Sequence, residues 1–172
     1  MTLKRLMFPA FVAVSVLAAS AAHAATATDN LTVQMTITAA CSVTGGTLDF
    51  GTAQAGTLAA NRDAQTNISV TCTSGSPYSV GLGAGQNGGG AGINGRAMKR
   101  GTNADTIAYQ LYRDTGRAAV WGEDVTPTTG NTFNQSGAGT AQSIPVYGRV
   151  PTGTAITAAG IYTDTVTITL TY

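Results

Sequence analysis

The chain has 172 residues, a formal net charge of +1, only 10% charged residues and two cysteines. A surface this close to neutral offers no dense Lys and Arg patch for phosphates, so nucleic acid is not an expected partner. Threonine, alanine and glycine are abundant, a composition that suits a β-rich exported protein better than a cytosolic helical one.

Lys4 and Arg5 precede an apolar run from Leu6 to Ala19 that ends in Ala22-His23-Ala24. A basic start, a short hydrophobic middle and an A-x-A site are the marks of a secretory signal peptide, with cleavage expected after Ala24. The run falls short of the roughly 20 apolar residues that span a bilayer, and no later segment is long and apolar enough, so stable membrane insertion is not expected. Removal of the leader leaves 172 − 24 = 148 residues with seven basic and eight acidic side chains, a net of −1. That is the size of one domain with its own core.

The first segment of the mature chain is LTVQMTITA, Leu31 to Ala39. Leu31, Val33, Met35, Ile37 and Ala39 alternate with Thr32, Gln34, Thr36 and Thr38, which predicts an extended strand with one apolar face. Such a terminal strand can complete its own sheet or reach into a neighbour's. Cys41 continues the parity of Ile37 and Ala39, and Cys72 that of Ile68 and Val70, so both should face the core. In an oxidising compartment two cysteines are most simply one disulfide, and with no mature histidine they make a poor metal site.

Gly45-Gly46 signals a turn, and Leu48 to Gly51 reads as a short strand or a strand end. Residues 53–65 read as irregular. Asn67 to Cys72 alternates as a strand, Thr73 to Pro77 as its turn and Tyr78 to Leu82 as a second strand, so the two read as a hairpin. The tract from Gly83 to Gly95 is too rich in glycine for a regular element and reads as a mobile loop. Ile107 to Arg113 reads as a strand ending at Asp114-Thr115-Gly116, with Trp121 near a short following strand. Residues 123–140 are again polar, with glycine and one proline. Gln142 to Arg149 alternates, and Tyr162 to Tyr172 alternates Val166, Ile168, Leu170 and Tyr172 against threonines. No helical periodicity runs for three turns. The pattern predicts an all-β sandwich of about seven short strands with immunoglobulin-like topology.

Catalytic chemistry is sparse. The only histidine, His23, leaves with the leader, which removes Ser-His-Asp and Cys-His constellations and the commonest metal ligand. Gly83, Gly85 and Gly88 match G-x-G-x-x-G, but no strand-to-helix unit surrounds them, so a flexible loop is the expectation rather than a nucleotide site. Arg96, Lys99 and Arg100 read as a solvated basic cluster. Asp114, Glu123 and Asp124 could be sought as a carboxylate pair, but turn-like surroundings make them ordinary. Tyr109, Tyr112, Tyr147, Tyr162 and Tyr172 read as packing or pairing residues rather than a sugar platform. The sequons at Asn30, Asn67 and Asn134 matter only in a host that glycosylates exported chains. No cofactor, metal or enzymatic activity is called for.

The alternating segment running into Cys41, Ile68-Ser69-Val70-Thr71-Cys72, Ala108 to Asp114, Ile144-Pro145-Val146-Tyr147-Gly148 and Gly160 to Val166 form an ordered set. Together they resemble the spore coat protein U-like domains, the pilins of archaic (Csu-like) chaperone–usher pili. The resemblance implies an incomplete immunoglobulin-like domain that lacks its last strand. It implies a signal peptide over 1–24, a donor segment over 25–40 and a pilin domain over 41–172. Leu31, Val33, Met35 and Ile37 are then the donor residues. Val166, Ile168, Leu170 and Tyr172 line the acceptor groove on the C-terminal strand, with the Tyr172 carboxylate as a chaperone anchor. The implied partners are a periplasmic pilus chaperone, an outer-membrane usher and other pilin subunits, in a surface fimbrium serving adhesion and biofilm growth. Two alternatives stand beside this: a secreted coat protein that completes its own sandwich, and a carbohydrate-binding adhesin module.

Overall fold

The computed structural model describes residues 24–124 and 130–172, so the leader up to residue 23 lies outside the described residues. Residues 24–36 form a unit of their own, without strand pairing and exposed throughout. The unit from Ile37 to Tyr172 carries every strand among the described residues.

Among the described residues this body has eleven strand segments: β1 (Cys41–Thr44), β2 (Gly56–Thr57), β3 (Arg62–Cys72), β4 (Pro77–Leu82), β5 (Ala97–Lys99), β6 (Thr106–Ala108), β7 (Gln110–Tyr112), β8 (Phe133–Ser136), β9 (Ala141–Val150), β10 (Ala155–Ile156) and β11 (Ile168–Thr171). One sheet has the order β1-β3-β9-β7 and a second the order β11-β4-β8, with antiparallel pairing throughout. Two small ribbons, β10-β2 and β5-β6, complete it. The sandwich follows from alternation: Ile68, Val70 and Cys72 of β3 and Ile144, Val146 and Val150 of β9 point inward to meet Tyr78, Val80 and Leu82 of β4. Trp121, fully buried, stitches the layers, its main-chain N–H donating to the Leu111 carbonyl (2.9 Å) and its Nε1 to the Val80 carbonyl (2.9 Å). The immunoglobulin-like all-β architecture expected from the pattern is the one observed.

Several local expectations are corrected. β3 and β4 do not pair as a hairpin: the turn at residues 73–76 carries the chain from one sheet to the other, which alternation within each strand cannot reveal. β3 begins at Arg62, so four residues read as irregular belong to it, held by the register Arg62 to Val150 and onward. The stretch read as one strand over Ile107 to Arg113 breaks at Tyr109, β6 and β7 joining different sheets. β8 lies within the polar tract 123–140, to which the sequence reading assigns no strand. Leu48 to Gly51 joins no strand, Leu31 to Ala39 pairs with nothing, and of Tyr162 to Tyr172 only Ile168–Thr171 is laddered.

Arg96 is the clearest reversal, 1% exposed rather than solvated. Its guanidinium donates to the carbonyls of Gly83 (2.9 Å), Leu82 (2.6 Å) and Trp121 (2.8 Å) and to Gln110 Oε1 (2.7 Å). A buried fork of donors is satisfied by carbonyl dipoles that the broken strand ends leave unpaired. Burial lowers its pKa, opposed by the nearby Tyr109, Glu123 and Asp164. The glycine tract is a loop with one 3-10 turn, Gly92–Gly95, and it is tied down by this arginine at Gly83 and by Gln110 Nε2 on the Ile93 carbonyl (3.0 Å).

Candidate functional site: an open groove and an exposed apolar arm

Between the two sheets runs a cleft whose walls are two lengths of extended chain. One is residues 46–52, which follow β1 and pair with no strand. The other is residues 160–168, leading into β11. Its outer edge is held by Lys99, which exchanges main-chain bonds with Thr163 (2.8 and 3.0 Å), and by Gly83, whose N–H donates to the Thr167 carbonyl (2.9 Å). Its inner edge has no strand beside it among the described residues.

The cleft holds two cavities, about 480 and 460 Å³, that share Leu48, Asp49, Phe50, Met98, Ile161 and Tyr162 as lining and so form one groove. The upper part is floored by Ile68, Leu82, Leu111 and Val146, the lower by Ile107, Val150 and Ile156. These are residues of the hydrophobic core, 2–9% exposed, and among the described residues no strand lies over them. Gly148 of β9 makes room for the rim: a Cβ there would lie 2.8 Å from Leu48 Cδ2 and 2.9 Å from Phe50 Cζ. At the upper end the walls converge, since a Cβ on Gly45 would lie 2.8 Å from Ile168 Cδ1. At the lower end Arg62 braces the rim, its Nη2 donating to the carbonyls of Phe50 (3.3 Å) and Thr52.

One polar residue interrupts the inner wall. Asp164 shares its parity with Tyr162, Val166 and Ile168 and lines the upper cavity. Its Oδ2 accepts from the Tyr109 hydroxyl (2.7 Å), and its Oδ1 from the main-chain N–H of Gln86 (2.9 Å) and Thr165 (2.9 Å) and from Asn87 Nδ2 (3.0 Å). Burial first, and then the Asp164 bond, pushes the Tyr109 hydroxyl well above the usual phenol range.

Of the C-terminal residues singled out in the sequence, Val166 and Ile168 line the groove. Leu170, opposite Val80 in the ladder, packs on the core, and Tyr172 follows the last strand at 61% exposure. Leu31, Val33, Met35 and Ile37 are 78–88% exposed. Four large apolar side chains in one short alternating stretch, all in water, are a costly arrangement for a chain with no further use for them. The first residue held to the body is Ala40: its N–H donates to Thr73 Oγ1 (3.0 Å) and its carbonyl accepts from the Thr73 N–H (3.0 Å). Next to it Cys41 and Cys72 sit directly opposite across β1 and β3 and form the disulfide.

Sequence reasoning missed the rim at residues 46–50 and the pair Tyr109–Asp164. The parity of Asp164 within Tyr162-Thr163-Asp164-Thr165-Val166 was the available signal. The carboxylates considered for chemistry have structural occupations: Asp114 accepts from the N–H of Ala118 and Ala119, and Glu123 from the Thr169 hydroxyl. No group of three or more His, Cys, Asp or Glu suited to a metal exists among the described residues.

Residues 27–169 match the family model of the Spore Coat Protein U domain. Protein U of Myxococcus xanthus is 35% identical over 171 residues, with 93% of each chain covered. Among solved structures, the chain is similar to one in the CsuC-CsuE chaperone-tip adhesion subunit pre-assembly complex from the archaic chaperone-usher Csu pili of Acinetobacter baumannii, with a TM-score of 0.55 at 19% identity. That match covers 80% of this chain and 41% of the other, so this chain spans about two fifths of its length, and the likeness is one of fold. By the family match over residues 27–169, the chain belongs to the Spore Coat Protein U domain family.

Proposed function

We propose that this protein is a non-enzymatic structural subunit of a surface fibre, built by each copy inserting its arm, residues 31–39, as a strand into the groove of the next. One observation carries the reading: an exposed stretch with five alternate apolar side chains occurs in the same chain as a largely apolar groove whose inner edges have no strand beside them among the described residues. An added strand supplies main-chain hydrogen bonds, and its alternate side chains fill the pockets. An empty groove with free edges invites aggregation, so a periplasmic chaperone fills it first, reading the C-terminal strand through Val166, Ile168, Leu170 and the Tyr172 carboxylate, and an outer-membrane usher exchanges it for the next arm. The signal peptide brings the chain to that compartment, and the fibre serves adhesion and biofilm growth. The relative solved as a chaperone complex with a tip adhesion subunit supports this reading.

Chain length disfavours completion of the sandwich by the chain's own arm. Ala40 is clamped by Thr73, and the upper mouth of the groove, at Gly45 and Ile168, lies the length of β1 away, about 13 Å at 3.3 Å per residue. An arm folding back spends about four residues and a turn on that return, leaving little more than Leu31 and Val33 to enter. The test is residues 25–172 with and without Val33→Asp: the parent chain should form ladders of oligomers and fibres, and the variant should not. Normal fibre yield from the variant overturns the proposal.

A further inference from the structure

We infer that Asp164 is a positioning residue for strand insertion: its carboxylate, braced by Tyr109, holds the inner wall of the groove extended before any strand lies beside it, so that an arriving arm meets an ordered edge. The inference rests on the strand-insertion reading above and holds whichever arm residue meets whichever pocket.

The wall has a gap on its outer edge. β11 pairs with β4 from Thr171 opposite Ser79 to Ile168 opposite Leu82, and the Gly83 N–H carries the pairing one place further, to the Thr167 carbonyl. Continued in that register, Thr165 would face Gly85 and Thr163 would face Asn87. The chain instead leaves as the glycine loop and returns at Lys99, which takes Thr163. Between Thr167 and Thr163 the wall therefore has no strand beside it on either edge among the described residues. Main-chain groups alternate along extended chain, so residues 163, 165 and 167 turn theirs outward to β4 and β5, while 162, 164 and 166 turn theirs toward the open groove.

Asp164 bridges that gap. Its Oδ1 takes the N–H of Thr165, the group left without a rung, together with the N–H of Gln86 and the Nδ2 of Asn87, and the same Nδ2 reaches the Thr163 carbonyl (3.2 Å). Its Oδ2 is held from the floor by the Tyr109 hydroxyl. Tyr109 is fixed in turn by its N–H on the Arg96 carbonyl (3.0 Å) and by its ring against Phe50, 6.1 Å between centroids. Four donors thus converge on one carboxylate from the loop, the wall and the floor. The loop comes this near only at a glycine: Gly85 has φ +79°, and a Cβ there would run into the Asp164 carboxylate. A stretch without a ladder partner otherwise samples many conformations, and an arriving arm would have to order it. A carboxylate with its donors in place does that ordering beforehand.

The experiment uses the whole mature chain, residues 25–172, with Val33→Asp to disable its own arm, and follows insertion of a fluorescent peptide of residues 25–40 by anisotropy. In that background Asp164→Ala should slow peptide association roughly tenfold or more, while Asp164→Asn, whose amide oxygen still accepts from main-chain N–H groups, should stay within about threefold. Tyr109→Phe, which removes only the hydroxyl, should slow it roughly three- to tenfold. Val70→Ala is the control for lost stability, because Val70 is fully buried and lines neither cavity. It should lower the urea midpoint at least as far as Asp164→Ala yet leave the rate within about threefold. Hydrogen exchange gives a second readout: in Asp164→Ala the amides of Thr165 and Gln86 should accelerate at least about tenfold more than those of Ile68 and Ile144. An unchanged rate in Asp164→Ala, or a slowing that Val70→Ala shares, overturns the positioning role. Where Asp164→Ala does not fold, an unchanged rate in Tyr109→Phe overturns it as well. Absence of peptide binding to the chain that keeps Asp164 overturns strand insertion itself, and the role with it.

Discussion

Arg96 and Trp121 hold the two ends of one stitch: Arg96 Nη2 donates to the Trp121 carbonyl at 2.8 Å, and Trp121 Nε1 donates to the Val80 carbonyl across the core. Arg96→Ala would strand the carbonyls of Leu82, Gly83 and Trp121 in a dry interior. Each buried acceptor left unpaired costs about 1–3 kcal/mol, so the variant should lose at least about 3 kcal/mol in urea unfolding. Arg96→Lys should recover only part, because an ammonium lacks the planar fork. An unchanged midpoint for Arg96→Ala contradicts this role.

The disulfide sets how firmly the root of the arm is fixed. Cys41 and Cys72 close a loop with a sequence separation of 31. In the chain-entropy model the paired serine variant should lose about 3–4 kcal/mol. Urea midpoints of parent and variant, each with and without reductant, check it: reductant should shift the parent alone.

How much of this was legible beforehand divides along physical lines. Alternation exposes which side chains face inward, so β3, β4, β9 and the disulfide could be read from Ile68, Val70, Cys72, Tyr78, Val80, Ile144 and Val146. Alternation says nothing about which strand lies beside which, so the crossing between β3 and β4 stayed hidden. Arg96 was unreadable because its partners are carbonyls of segments brought together only by the fold. The same holds for the groove: Leu48 and Phe50 carry a strand-like pattern, but that their edge is left unpaired is a property of the sheet order.

Acid should weaken the fold with a defined sign. The main-chain N–H groups of Ala119 and Ala118 hold the Asp114 carboxyl below the usual carboxylate range, and the Arg149 hydrogen bond does the same for Asp63. A folded pKa below the unfolded one contributes stability that is present above the unfolded pKa, roughly 4, and is lost as pH falls through the folded value. Stability should therefore be level toward neutral pH and fall below about pH 4, and Asp114→Asn should flatten that fall while lowering the plateau. Asp63→Asn should do less, since its ion pair is partly in water. Urea midpoints across the acid range measure both.

Gly148 separates groove shape from fold. A Cβ there meets the free ends of Leu48 and Phe50, which can yield by swinging into the groove. Gly148→Ala should cost only about 1 kcal/mol, yet oligomer yield should fall by more than that loss explains. Gly137→Ala is the opposite case, because its Cβ would meet the Thr73 carbonyl at 2.3 Å, a main-chain atom that cannot yield cheaply. Unfolding curves beside oligomer yields for both variants make the comparison.

The most direct measurement is cross-linking of isotopically light and heavy chains, residues 25–172, mixed before assembly and followed by sedimentation. Cross-links between residues 31–39 and residues 160–168 should join light to heavy chains as often as chance allows. If those cross-links join only like to like, and the protein sediments as a monomer, each arm occupies its own groove and assembly by strand exchange is wrong.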